Sequence, residues 1–157
     1  MPQVHLTTNL QLKYEETKQA LELMGAQVFE CRPNSIELSA KAGSLELTKQ
    51  VLVDAGALEE SSNPPACLLP FGLRAAAGEA WYPVFEGAVV VVHQPESIKL
   101  ALQGTYRPPV GFAGQLADLA ALHILAEQSL RNLLTCVAGH LIRAVSSGRD
   151  LIGHPYS

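Results

Sequence analysis

Charge is scarce in this chain. Asp, Glu, Lys and Arg make up 17% of its 157 residues, against about 25% in an ordinary soluble domain. Its 11 basic and 15 acidic residues give a net charge of −4. No basic run occurs, which excludes the clustered Lys and Arg that a nucleic-acid backbone requires. Aromatic residues are 6% of the total, too few for base-stacking platforms. The 3 cysteines, Cys31, Cys67 and Cys136, are odd in number, widely spaced and free of any CxxC. They read as reduced thiols of a cytoplasmic protein, not as a disulfide framework. No uninterrupted apolar run approaches the roughly 20 residues that span a bilayer. The N-terminus has no basic region ahead of an apolar core, so no secretory leader is expected. GxSxG, HExxH, P-loop and paired-carboxylate patterns are all missing.

What the chain has in quantity is apolar residues, 48% of the total, with a concentration late in the sequence. Between Phe112 and Ser146 they recur at helical spacing. Leu116, Leu119, His123, Ala126, Leu130, Leu133, Val137 and Leu141 fall on one side of a 3.6-residue helix, and Gln128, Asn132, Thr135 and Arg143 on the other. An unbroken helix from Gly114 to Val145 would run about 48 Å. A compact domain of this length is about 39 Å across. Either the helix breaks at Gly139, or its excess packs on another chain. The low charge and the wide apolar stripe favour contact with a second copy or a protein partner.

The first seventy residues predict alternating elements. Gln3–Thr7 reads as a strand and Leu12–Met24 as a helix stopped by Gly25. Ala26–Cys31 and Ile36–Ala40 read as strands about an Arg32–Ser35 turn. Ser44 caps an expected helix to Ala55, and Ala66–Phe71 closes the series. The order β-α-β-β-α-β is the ferredoxin-like arrangement. Beyond it the sequence predicts a short helix over Leu73–Trp81 and a buried strand over Ala88–Val92. A helix from Pro95 to Leu102 and a stiff connector over Tyr106–Gly111 follow, leading into the long apolar helix. The expected fold is one α+β domain over 1–157, with a ferredoxin-like half (1–71) and a strand-plus-helix half (72–157).

Several residues could carry chemistry. His93, Gln94 and Ser97 follow the valine strand where a helix is expected to start, a place that favours an anionic ligand. His123 has Glu127 one turn away, an arrangement that orients a general base, although Glu127 can equally pair with Arg131. Cys136 and His140 lie one turn apart on the same side, but zinc needs two more ligands. His123 is about 26 Å from them along the helix, so no metal site and no cofactor are expected. Met1-Pro2 with the apolar strand behind it resembles the start of the small tautomerases, whose N-terminal proline amine acts as a base. The likeness ends there, and the family is not carried over. Two functions follow. The first is a non-enzymatic oligomeric subunit, an assembly, accessory or regulatory component joined through helix 112–146. The second is a small oligomeric enzyme or ligand-binding regulator with its site at His93, Gln94 and Ser97. Neither involves nucleic acid or a membrane span.

Overall fold

The computed structural model describes residues 3–30, 37–42, 45–75, 84–107 and 119–153. The chain opens with strand β1 (Gln3–Leu10), in which buried Val4 and Leu6 alternate with exposed Gln3, His5 and Thr7. This is the period-two pattern of a strand with one face on a core. Helix α1 (Tyr14–Met24) has Glu15 and Glu16 in its first turn, where they complement the helix dipole. Gly25 ends it with a φ of 52°, left-handed backbone that glycine adopts without strain. The next residues, Gly25–Phe29, form a 3-10 helix.

Strands β2 (Glu37–Ala42), β3 (Leu45–Ala55), β4 (Glu59–Ser61), β5 (Ala66–Ala75), β6 (Val84–His93) and β7 (Ile98–Arg107) come next. Helix α2 (Leu119–Gly153) ends the series. All strand pairings are antiparallel, in the order β1-β7-β6-β5-β3-β2. β4 lies on the same edge of β5 as β3. The two act as one strand interrupted at 56–58, where the Gly56 amide donates to the Pro70 carbonyl at 2.8 Å.

The α+β class and the late helix stand, but the ferredoxin-like half does not. Residues 45–55, expected as a helix, are a strand, and residues 26–29, expected as a strand, are 3-10 helix. The helix expected over 95–102 is a hairpin turn followed by β7. In both strands the apolar residues alternate: Leu45, Leu47, Val51 and Val53 in one, Ile98, Leu100 and Leu102 in the other. Capping residues framed each run like a helix, and the alternation decided the outcome. Residues 76–81 of the expected short helix and 108–111 of the connector lie outside the described residues, as do Cys31 and Trp81–Pro83.

One core joins all layers. The inner face of the sheet contributes Val4, Leu6, Leu69, Phe71, Phe85, Val89, Val91, Leu100 and Leu102. Phe29, Phe71 and Phe85 stack in series, with ring centroids 4.4 and 5.4 Å apart. Across from them α2 buries Leu130, Leu133, Leu134, Val137, Leu141 and Val145, spaced three and four residues apart. Each such side chain stabilises the fold by about 1.5–3 kcal/mol through burial. α2 runs without a break through Gly139 and is about 52 Å long at 1.5 Å per residue.

Candidate functional site

The register of β1, β7 and β6 builds a groove on the outer face of the sheet. Gln3 pairs with Thr105, and His5 pairs with Gln103, which pairs in turn with Ala88. Directly opposed residues in an antiparallel sheet point to the same side. These five therefore share the face away from Val4 and the core. Together with Val4, Gly87 and Gly104 they line a groove of about 610 Å³. The two glycines are opposite one another and contribute only backbone to it.

That glycine pair is a requirement of the sheet. A Cβ on Gly87 would run into the Gln103 carbonyl, and one on Gly104 into the Glu86 carbonyl. Phe85 closes over the same spot, with Cζ 2.8 and 2.7 Å from the two positions. The strands approach so closely here that only hydrogen fits. The lining offers two carboxamides, an imidazole and a hydroxyl beside the Ala88 methyl, and it has no carboxylate, ammonium or guanidinium. It can pair donors and acceptors of a neutral ligand and gives an anion no counter-charge from an ammonium or guanidinium.

His93, Gln94 and Ser97 lie elsewhere, about 17 Å along β6 from Ala88. They form the turn of the β6–β7 hairpin. The Ser97 hydroxyl donates to Gln94 Oε1 at 2.9 Å, and the Gln94 amide to the Ser97 carbonyl at 3.1 Å. Two of the three polar side chains thus satisfy each other. With β7 in place of a helix, no helix dipole acts at this turn. The His93 ring stands edge-on to Tyr14, centroids 5.7 Å apart.

Below that turn, Tyr14, Lys18, Glu60 and Cys67 form a second cluster. The Tyr14 hydroxyl is buried without a hydrogen-bond partner of good geometry, and the Cys67 thiol lies beside it. Burial pushes the Tyr14 phenol up to about 12 and the Cys67 thiol up to about 11. Both are protonated at neutral pH, so Cys67 is no poised nucleophile. Lys18 reaches Glu15 at 3.2 Å and Glu60 at 3.0 Å, and these partners hold its charge above the ordinary lysine range. The arrangement clamps α1 to β4.

The residues singled out on the long helix fall into three groups. Leu130, Leu133, Val137 and Leu141 pack in the chain's own core, each 3% exposed or less. Leu119, His123 and Ala126 belong to the first turns of α2, and Leu116 lies outside the described residues. Glu127 pairs with Arg131 at 3.2 Å. His140 uses both ring nitrogens. Nε2 bonds the Glu30 carbonyl, and Nδ1 takes a hydrogen bond from Arg143 at 3.3 Å. With Nδ1 accepting, Nε2 carries the proton and ties α2 to the end of the 3-10 segment. Among the described residues no three His, Cys, Asp or Glu converge as a metal site, and no helix is long and apolar enough to cross a membrane.

Sequence reasoning missed the groove. Its two local signals were isolated glycines within strand-like runs and the polar Gln3 and His5 alternating with Val4.

No family model matches the chain, and no curated protein matches it. Solved structures do share its architecture. The crystal structure of Ara h 8.0201 matches with a TM-score of 0.52 at 9% identity, over 90% of this chain and 98% of that one. TTHA0849 from Thermus thermophilus matches at 0.49 and 16%, over 91% and 99% of the two chains. The Zhui aromatase/cyclase from a Streptomyces species matches at 0.42 and 16%, over 92% and 95%. At such identities the likeness is one of fold alone, an antiparallel sheet with a long C-terminal helix.

Proposed function

We propose that this chain is a binding protein for a small organic molecule, held in the groove on β1, β7 and β6. The observation that carries the proposal is the groove itself. Its volume of about 610 Å³ falls within the roughly 300–1,000 Å³ of small-molecule sites. Its polar groups also converge from two paired strands, β1 and β7, beside the small residues of β6. The fold allows a ligand-binding protein. Self-assembly through the apolar helix draws no support from the structure, because the stripe that suggested it packs against the protein's own sheet from Leu130 to Leu141.

The test uses an uncharged aromatic probe, N-phenyl-1-naphthylamine, titrated into isotope-labelled protein. The largest amide shifts are expected at His5, Gly87, Gln103 and Gly104, and Gln103→Ala should weaken binding about tenfold, the loss of a buried hydrogen-bond partner. Shifts confined to other parts of the chain, or none, would overturn the proposal.

A further inference from the structure

Resting on that binding site, we infer that its ligand is an uncharged single-chain amphiphile. The polar head sits among Gln3, His5, Gln103 and Thr105, and the apolar tail runs along the outer face of β5 and β6. The register that builds the groove continues it in one direction only. One step along the strands from the His5–Gln103–Ala88 row is the row Thr7–Ala101–Val90–Leu68. One step further, Val92 lies between Ala66 and Lys99. Pro70 stands next to Ala88 in the first of these rows. The outer face of β5 and β6 is thus apolar over three consecutive rows, about 13 Å along the strand.

This face is not filled by packing as the inner one is. On β6, Val89 and Val91 are fully buried while Val90 and Val92 are only half-buried, as are Leu68, Pro70 and Ala66 on β5; of the outer row, only the small Ala88 and Ala101 are buried. A sheet with one solvated side ordinarily alternates apolar with polar residues. Here β6 presents valine to both sides, so the outer side has apolar area that water covers at a cost. The charged side chains of this face stand around the strip: exposed Glu86 on the Thr105 row at one end, Lys99 on the Val92 row at the other, and exposed Glu59 at its side, opposite Leu68. An uncharged polar pocket opening onto an apolar strip one chain wide, bordered by Glu59 beside Leu68, fits a neutral head and a single chain. A carboxylate head would give up part of its water in a groove whose lining offers it no ammonium or guanidinium.

The experiment compares hexyl, heptyl and octyl β-D-glucoside below their critical micelle concentrations, with octanoate as the charged arm. Binding is followed by amide shifts of the intact labelled chain. The glucosides are expected to shift His5 and Gln103 together with Val90 and Ala101. Affinity should rise about twofold per methylene, half the effect of full burial because one side of the tail stays in water. Val90→Thr, which keeps the branched shape and adds a hydroxyl, should flatten that dependence and leave the melting temperature within a few degrees. Octanoate binding as tightly as octyl glucoside would overturn the uncharged head. Groove shifts with no dependence on chain length would overturn the tail. In either case N-phenyl-1-naphthylamine still bound in the groove leaves the binding function standing. Silence from every probe removes both.

Discussion

At the scale of single residues, the sheet depends most on two that have no side chain. Gly87 and Gly104 face each other where neither strand has room for a Cβ, and the obstacles are backbone carbonyls that cannot rotate aside. Gly104→Ala is expected to cost about 1–3 kcal/mol or more, as forced overpacking does, and to weaken binding in the adjoining groove. Urea unfolding monitored by circular dichroism measures the first effect and the probe titration the second. Gly56→Ala meets only the Pro70 ring and should cost less. In the sequence, Gly104 reads as a helix stop, since nothing local reveals that residue 87 lies opposite. The groove was illegible for the same reason. Its halves, Gln3–His5 and Gln103–Thr105, are neighbours only through a pairing that spans a hundred residues.

At the scale of elements, the outcome turned on which signal was allowed to dominate. β1, α1, β2, β5, β6 and the long helix were legible, because periodicity and stop residues agreed over each. They disagreed over 45–55 and 98–107. There Ser44 and Gly56, or Pro95 and Gly104, frame alternating runs with the start and stop residues of a helix. Mistaking β7 for a helix also misplaced the candidate site, since the case for His93, Gln94 and Ser97 needed a helix N-terminus that the hairpin does not supply. In α2 the two readings, a break at Gly139 or an unbroken helix, resolve to a continuous helix. A Cβ there would touch only the tip of Arg143, at 3.5 Å. Gly139→Ala is therefore expected to stabilise the protein by about 0.5–1 kcal/mol, the helical advantage of alanine over glycine, seen as a higher urea midpoint with an unchanged slope.

At the scale of the whole molecule, one core among the described residues couples the sheet to α1 and α2, so perturbing any of these layers is felt in the others. Alkaline pH reaches that core through two groups. Cys67 and Tyr14 hold their protons to about 11 and about 12 in the fold, against 9.0 and 10.0 when unfolded. Their neutral forms are favoured by folding, so this stabilisation is complete below about pH 9 and drains away as pH rises through the folded values. Cys67 alone accounts for about 2–3 kcal/mol across two pKa units. Thermal melts from pH 8 upward should show the decline, and Cys67→Val should remove the part between about 9 and 11. The pairing of β1 with β7 has a consequence of another kind, for the protein as it is made. β1 leaves the ribosome roughly a hundred residues ahead of β7, its neighbour among the described strands. At about 5–20 residues per second, it must stay unpaired for about 5–20 seconds. Throughout that interval Val4 and Leu6 lack the β7 neighbour that flanks them in the finished sheet.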